Sequence, residues 1–260
     1  MDKPSPDLIA AGALAAAIHA EIKTLIRPGL NLLEIEQVIA DRIKSSGMKP
    51  AFLGFHGYPA VSCLSVNSVV VHGIPVDYQL QAGDIISVDL GVEKNGWIVD
   101  TALTHPVGTV SQSVNHLLKT TEQSLLAGIS LAKAGNHVGD IGAKVQSIVE
   151  KAGFFIIKEL TGHGVGPELQ MPPNIPNFGR PGHGPILKEG MVLAIEPITA
   201  LKPVQVRLEA DDWTIKAYPD VVSAHFEHTI FVTKDAPIIL TALANSPSNP
   251  ISSNGLTEAA

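Results

Sequence analysis

The chain has 260 residues, of which 45% are hydrophobic, enough to fill the core of one large domain or two small ones. The chain has 25 acidic residues and 18 lysines and arginines, which gives a formal charge of −7. No basic run marks a surface for phosphate backbones, which argues against nucleic acid as a main partner. The single cysteine, Cys63, cannot form an internal disulfide and suits a reducing compartment, so we expect a cytoplasmic protein.

The N-terminal segment predicts a helix and not a signal peptide. Residues Ser5 to Asp7 are typical of a helix N-terminus, and apolar residues then recur at helical spacing as far as Pro28-Gly29. The apolar stretch from Leu8 to Ala20 lacks a basic flank, and at about 13 residues it is shorter than the roughly 20 that span a bilayer. We therefore expect a soluble protein without a membrane segment.

A second helix is predicted to begin at a capping box of Asn31 and Glu34 and to run to Gly47. The same layout of glycine and aliphatic residues returns 106 residues later, where Gly135 takes the place of Gly29. Matches of this kind also arise by chance, so duplication and coincidence both stay open. A duplication would predict a site between two halves, because ligands favour clefts between substructures.

Apolar and β-branched stretches after each pair of helices predict strands. The longest, residues 83–107, carries a turn at Lys94-Asn95-Gly96 and is expected to form a hairpin. Shorter strands are predicted in residues 60–73, 191–198, 204–209, 214–217 and 225–232. The predicted fold class is α+β with mainly antiparallel strands, in a single domain over residues 1–243. Residues 244–260 are polar and turn-rich, and we expect a disordered tail there.

Two aspartates, Asp89 and Asp100, lie in the apolar strands of the predicted hairpin. The turn lies midway between them, so their side chains should be opposite, or nearly opposite, on the same face. Like charges held so close repel each other, and a shared cation removes the repulsion. The alternative is that each carboxylate caps a turn or pairs with a surface base.

Three further segments strengthen the case for a metal site. His163 lies in a glycine-rich segment, Glu196 ends a strongly apolar strand, and Glu227 lies inside the predicted strand 225–232. Acidic residues are seldom buried unless they are paired or bound to metal. Four carboxylates and one imidazole form a donor set suited to Mn²⁺, Fe²⁺, Co²⁺ or Zn²⁺ at two adjacent positions.

A series of short segments makes the chain resemble a known enzyme family. In chain order they are Phe55-His56-Gly57-Tyr58-Pro59, Val71-His72-Gly73-Ile74-Pro75, the two hairpin aspartates, Gly162-His163-Gly164-Val165-Gly166, Ile195-Glu196-Pro197 and Glu227-His228-Thr229. Over residues 5–240 the chain resembles the type I methionine aminopeptidases, which belong to the pita-bread, or creatinase-like, metallopeptidases. The resemblance implies two pseudo-symmetric halves around a mainly antiparallel curved sheet, and removal of the initiator methionine from nascent polypeptides.

The resemblance also implies roles for the acidic and imidazole groups. Asp100 and Glu227 would bridge two divalent metal ions, Asp89 would complete one coordination shell, and His163 with Glu196 would complete the other. A solvent molecule between the ions would be the nucleophile, and Glu196 would carry its proton to the leaving amine. The resemblance further suggests a monomer, and it leaves open both association with the ribosome and the choice among Co, Mn, Fe and Zn.

The substrate side of the site is implied in the same way. His72 matches a histidine that contacts the substrate near the scissile bond without binding metal. Tyr58, Cys63 and Trp213 match positions that line the pocket for the methionine side chain, where aromatic and sulfur surfaces suit a thioether. Phe52 and Leu169 are expected to add apolar wall.

One position departs from the family pattern. Where the family carries a second histidine, seven residues after the glycine-flanked one, this chain has Gln170. A glutamine amide donates a hydrogen bond but cannot carry a positive charge, so metal binding should survive while turnover is in doubt. The departure leaves open a non-catalytic or weakly active module that binds peptide N-termini. A peptidase that cleaves before proline is a further alternative, which the His56-Gly57-Tyr58-Pro59 segment and the lack of a large extra N-terminal domain oppose.

Overall fold

The computed structural model of the protein describes residues 3–243, and the predicted tail at residues 244–260 lies outside them. The helices within this range are α1 (Pro6–Leu25), α2 (Leu32–Ser45), α3 (Gln112–Ile129) and α4 (Val138–Lys151). The strands are β1 (Lys49–Pro50), β2 (Ser62–Val66), β3 (Val69–Val71), β4 (Ile85–Lys94), β5 (Trp97–Pro106), β6 (Phe155–Ile156), β7 (Thr161–Gly164), β8 (Met171–Pro176), β9 (Val192–Ile195), β10 (Ile198–Ala200), β11 (Gln205–Leu208), β12 (Ile215–Tyr218), β13 (Ser223–His225), β14 (His228–Phe231) and β15 (Ile238–Ile239).

Helix α1 begins where the sequence predicts, because the Ser5 hydroxyl accepts the backbone N–H of Leu8 at 3.1 Å. Its buried face includes Leu8, Ile18 and Ile22 and packs against β4 and β5. The helix has 20 residues, more than the apolar stretch that predicted it. By length and composition it could cross a membrane, a property that the core helices of soluble proteins share.

The two helix pairs have the same local design, which gives the repeat in the sequence a structural counterpart. At the start of α2, Glu34 Oε1 accepts the backbone N–H of Asn31 at 3.1 Å. At the start of α4, Asp140 Oδ2 accepts the backbone N–H of His137 at 2.7 Å, 106 residues further on. Each pair covers its own hydrophobic core, one beneath α1 and α2 and one beneath α3 and α4.

Every strand pair within the described residues is antiparallel, which agrees with the predicted α+β class. Four-stranded and five-stranded sheets form the body of the fold. The first has the order β1-β4-β2, with β5 added on β4, and the second has the order β15-β14-β9-β7-β8. Two three-stranded sheets, β13-β10-β6 and β11-β12-β3, complete the set.

Among the predicted strands, two are each broken at a glutamate, and the prediction that Glu227 lies inside a strand is wrong. Residues 191–198 form β9 and β10 with a break at Glu196-Pro197, and residues 225–232 form β13 and β14 with a break at Phe226-Glu227. Pro197 explains the first break, because it has no N–H to give to a sheet ladder. The breaks face each other, since β9 pairs with β14 and β10 pairs with β13.

Candidate active site

The hairpin of β4 and β5 presents two carboxylates to one side of its sheet. Its two-residue turn, Asn95-Gly96, has positive φ at both positions (49° and 82°), the conformation that favours these residues in tight hairpins. Asp100 pairs with Gly91, and Asp89 pairs with Ala102, so the two aspartates share a face and are displaced by two residues. This arrangement matches the nearly opposite placement that the spacing predicts.

The breaks between strands supply the two glutamates. Glu227 is fixed beside Asp100, because its backbone N–H donates to Ala102 O at 2.7 Å and its carbonyl accepts the Thr101 hydroxyl at 2.8 Å. Glu196 is held at its own break by Asn177, whose side-chain amide donates to the Glu196 carbonyl at 2.8 Å. Both carboxylates leave the sheet ladders at these breaks and turn into the same cavity.

His163 lies on β7 between two glycines that this packing requires. A Cβ at Gly162 would lie 2.3 Å from Ala194 O, and one at Gly164 would lie 2.5 Å from Pro172 O. The imidazole Nδ1 donates to Gly164 O at 2.9 Å, which leaves Nε2 free to face the carboxylates. Nε2 lies 3.6 Å from Glu196 Oε1 and 3.8 Å from Asp100 Oδ2.

Burial makes the four carboxylates costly to ionise. It raises the pKa of Asp100 to about 6 and that of Glu196 to about 7, while His163 lowers both. Burial also raises the pKa of Asp89 and Glu227 well above their ordinary values, and neighbouring carboxylates raise them further. These groups can all be ionised together at neutral pH only if positive charge is placed among them.

The donor set fits a bound divalent cation. Asp89 Oδ1, Asp100 Oδ1 and Glu227 Oε1 are buried and have no hydrogen-bond partner within residues 3–243. Native proteins seldom leave such atoms unpaired. One ligand atom each from Asp100, His163 and Glu227 lie within 4.8 Å of one another. Carboxylate oxygens with one imidazole nitrogen suit Mn²⁺, Fe²⁺, Co²⁺ or Zn²⁺.

These side chains form one end of a cavity of about 250 Å³, and the other end is apolar. There Tyr58 packs edge-on against Trp213 with ring centroids 5.0 Å apart, beside the buried Cys63 thiol. Phe52 and Leu169 also line the cavity, and Phe52 approaches so closely that a side chain on Gly91 would meet its ring at 2.7 Å.

The apolar end is held by satisfied hydrogen bonds. The Tyr58 hydroxyl donates to the carbonyl oxygens of Ser62 and Gly73 at 3.0 and 3.2 Å. Glu36 of α2 accepts the backbone N–H of Val61 at 2.7 Å and the Ser62 hydroxyl at 2.5 Å, which anchors the start of β2. The positions of Tyr58 and of Cys63 on β2 are therefore fixed before any ligand arrives.

His72 and Gln170 also line the cavity. His72 follows β3 with a positive φ of 58°, a strained conformation for a residue other than glycine. Burial, together with the nearby His225, lowers its pKa to about 4, so its imidazole is neutral at pH 7. Gln170 is exposed, and its side chain has no hydrogen-bond partner within the described part of the chain. It is therefore free to contact a ligand.

The cavity is thus lined by every residue that the sequence proposed for it, and among its other lining residues is a buried histidine that the sequence did not propose. His225, the last residue of β13, lines the cavity and is 3% exposed. Burial lowers its pKa to about 4, although Asp100 raises it. The alternation of His225 and Glu227 in Ala224-His225-Phe226-Glu227 is the signal that could have identified it, since alternate residues of an extended chain share a face.

Comparisons with known proteins show that the chain is similar to metallopeptidases. The sequence matches metallopeptidase family M24 over residues 7–234. Methionine aminopeptidase 1 of Bacillus subtilis is 43% identical over 231 residues, which cover 89% of this chain and 93% of that protein. A methionine aminopeptidase of Helicobacter pylori is 40% identical over 235 residues, with the same two coverages.

Solved structures show the same architecture. The crystal structure of a methionine aminopeptidase from Thermotoga maritima superposes with a TM-score of 0.90 at 37% identity, covering 93% of this chain and 99% of that one. The prolidase from Pyrococcus furiosus superposes with a TM-score of 0.71 at 23% identity, covering 92% of this chain and 64% of that one. At that identity the second match shows the shared pita-bread fold alone.

Proposed function

The chain belongs to metallopeptidase family M24, and we propose that it removes the N-terminal methionine of nascent polypeptides with the help of divalent metal. One observation carries the proposal: a cluster of four carboxylates and an imidazole shares a small cavity with an aromatic and sulfur-containing pocket. The cavity therefore joins a centre that can hydrolyse an amide to a pocket suited to one thioether side chain.

We propose that five residues would hold two ions. Asp100 and Glu227 would be shared between them, Asp89 would complete one set, and His163 with Glu196 would complete the other. When bound, such ions lower the pKa of a coordinated water toward neutrality and polarise the scissile carbonyl. The unpaired oxygens of Asp89, Asp100 and Glu227 support metal binding by these three residues, because each is buried and has no hydrogen-bond partner within the described chain.

Glu196 is the proposed proton carrier. Its carboxylate lies beside His163 at the end of the cluster, and its second oxygen, Oε2, is directed away from that imidazole toward His225. A carboxylate in this position can accept a proton from the attacking water and pass it to the leaving amine nitrogen.

His72 and the apolar end are proposed to orient the substrate. The neutral His72 imidazole can donate one hydrogen bond to a peptide group near the scissile bond without adding charge to the cluster. The methionine side chain would lie between Tyr58, Cys63 and Trp213, with Phe52 and Leu169 as further wall. The cavity is small by the standard of ligand sites, which favours recognition of one side chain.

Substrates of this kind emerge from the ribosome, and we propose that the protein acts on them as a cytoplasmic monomer, either on or near the ribosome. The single reduced cysteine, Cys63, is buried at the apolar end of the cavity and supports a reducing compartment. The net charge of −7 favours neither ribosomal RNA nor an anionic membrane surface as a direct partner.

A non-catalytic module that binds N-termini is not favoured. Only Gln170 pointed to it, whereas relatives of 37–43% identity over most of the chain are named methionine aminopeptidases. The direct test measures methionine release from Met-Ala peptides by metal-free protein supplemented with Mn²⁺, Co²⁺, Fe²⁺ or Zn²⁺. We expect methionine release that requires metal, and no cleavage of an Ala-Pro peptide, whereas metal binding without methionine release would overturn the proposal.

A further inference from the structure

His225 has a fixed backbone at the wall of the metal cluster. Its backbone N–H donates to the Thr104 hydroxyl oxygen at 2.9 Å, and that hydroxyl donates to the His225 carbonyl at 2.6 Å. His225 also pairs with Ile198 across β13 and β10. The sheet therefore fixes the backbone of His225, and this fixed backbone directs the side chain into the cavity.

The imidazole Nε2 of His225 is buried and has no hydrogen-bond partner within residues 3–243. It lies 3.5 Å from Glu196 Oε2 and 3.8 Å from Glu227 Oε2. Both distances are slightly longer than a hydrogen bond of about 3 Å. A buried ring nitrogen without a hydrogen-bond partner costs free energy, so its position beside two carboxylates needs an explanation.

The two oxygens of Glu196 face different imidazoles. Oε1 lies 3.6 Å from His163 Nε2, which the Nδ1 hydrogen bond to Gly164 leaves free to bind metal. Oε2 lies on the side of His225. Glu196 thus has one oxygen beside His163, another proposed metal ligand, and one oxygen beside an unpaired ring nitrogen.

We propose that His225 is a positioning residue for the metal centre, whose neutral Nε2–H donates to Glu196 Oε2 when the cluster is loaded. A small rotation of the Glu196 carboxylate closes the present gap. The bond fixes the plane of that carboxylate, so that Oε1 keeps its place beside His163, and Glu227 Oε2 is the second acceptor within reach. This inference rests on the proposed metal-binding function.

The arrangement follows the general design of metal sites, in which hydrogen-bonded neighbours orient the residues that bind the ion. Removal of such a neighbour typically lowers metal affinity by roughly 10–100-fold. We expect a loss of this size for His225→Leu, which fills similar space but has no donor. His225→Gln retains an N–H near the position of Nε2, so its affinity should stay within a few-fold of the parent.

A matched control comes from another buried histidine. His105 on β5 is 7% exposed and also has an unpaired Nε2, but it is absent from the cavity lining. His105→Leu should leave metal affinity unchanged. Any general effect of losing a buried imidazole would appear in both leucine variants.

The experiment titrates Mn²⁺ into metal-free full-length parent, His225→Leu, His225→Gln and His105→Leu by calorimetry, and records the visible absorption of their Co²⁺ forms. We expect weaker binding and an altered Co²⁺ spectrum for His225→Leu alone. Equal losses in His225→Leu and His225→Gln would overturn the proposal, because they would mean that the imidazole itself binds the ion. Unchanged affinity in His225→Leu would also overturn it.

Thermal unfolding of the metal-free variants shows whether each variant is folded. If His225→Leu is unfolded, Mn²⁺ affinity is compared between His225→Gln and His225→Asn instead. The asparagine amide cannot reach as far as Nε2, so it should bind Mn²⁺ less tightly than the glutamine variant, and equal affinities would overturn the proposal. Mn²⁺ binding is measured without a peptide, so an inactive parent that binds Mn²⁺ would count against the proposed peptidase and not against the role of His225.

Discussion

Strand β5 has a cavity face, which carries Asp100, and a helix face, which carries His105 and packs against His19 of α1. Burial disfavours the charged form on both faces. It raises the pKa of Asp100 to about 6, and it lowers the pKa of His19 to about 4 and that of His105 to about 3.

The two faces differ in what surrounds the buried groups. On the helix face, His19 Nε2 donates to Thr101 O at 3.1 Å, and the imidazole is neutral and enclosed. On the cavity face, several carboxylates converge on an open space. Burial alone therefore does not identify a functional ionisable group. Convergence of like charges on an accessible cavity does.

The largest expected effect comes from removing charge on the cavity face. Asp100→Asn and Glu227→Gln each replace a carboxylate that we propose is shared by two ions, so we expect kcat/KM on a Met-Ala peptide to fall by at least about 10³-fold, the upper range for loss of a key electrostatic group. Calorimetric titration should show fewer bound Mn²⁺ ions per chain.

The control for this prediction is Asp84→Asn. Asp84 is also buried at the start of the hairpin, but its oxygens accept hydrogen bonds from Asn67, Tyr78 and Gln81 and do not line the cavity. It should lose stability and keep its metal. Unchanged titrations in Asp100→Asn and Glu227→Gln would mean that the shared ligands are wrongly assigned.

The buried histidine His19 on the helix face should make the folding stability of the protein sensitive to acid. The unfolded chain protonates His19 near its ordinary pKa of 6.5, whereas the folded chain resists protonation until about pH 4. The free energy of unfolding therefore decreases as pH falls from 6.5 to 4, by about 2 kcal/mol at pH 5. Above pH 6.5 the neutral His19 causes no loss of stability.

His19→Gln removes this titration and retains a donor for Thr101 O. Urea unfolding of metal-free parent and variant at pH 7.5 and pH 5 should therefore show a smaller loss of stability in the variant. The carboxylates of the cavity face titrate in both proteins, and their contribution cancels in the difference. A parent and a variant with the same pH dependence would show that His19 is not held neutral.

The placement of the hairpin aspartates could be predicted from the sequence because it depends only on neighbouring residues. The alternation of side chains and the two-residue turn Asn95-Gly96 place Asp89 and Asp100 on one face without reference to the rest of the chain. The capping boxes of α2 and α4 are local in the same sense.

The residues that sequence reasoning misjudged depend on distant partners. Glu227 lies in a break because β13 and β14 pair with different strands, β10 and β9, which lie 23 or more positions earlier in the chain. His225 had no local signal beyond its alternation with Glu227, and its neighbour Glu196 comes from another strand break. Strand β8 was missed because it carries three prolines, which usually exclude a strand.

A third prediction separates the two ends of the cavity. The pocket of Tyr58, Cys63 and Trp213 should favour unbranched methionine over leucine by roughly 1–3 kcal/mol, since an apolar pocket discriminates only modestly between side chains of similar size. Small second residues such as alanine should be cleaved faster than large ones. Steady-state kinetics on Met-Ala, Leu-Ala and Met-Arg peptides measure both preferences, and equal cleavage of Met-Ala and Met-Arg would contradict the assignment.

The smallest expected effect comes from giving the cavity face a new cationic group with Gln170→His. Reaction at the scissile carbonyl creates negative charge and a leaving nitrogen, and both need donors placed beforehand. An imidazolium offers a charge-assisted hydrogen bond, about twice as strong as the neutral bond that the Gln170 amide can make. Loss of a well-placed donor typically costs on the order of 10²–10³ in rate, but the amide and His72 already supply part of it.

We therefore expect kcat/KM on a Met-Ala peptide to rise about tenfold in Gln170→His, within an upper limit of ~100-fold. Mn²⁺ affinity should change little, because Gln170 is exposed at the cavity wall and is not among the clustered ligand atoms. Gln170→Leu, which removes the donor, should fall below the parent and so fix the sign of the effect. A histidine variant no faster than the parent would show that the glutamine is adapted to this site. Catalysis at the cavity face would then need no positive charge other than that of the bound metal.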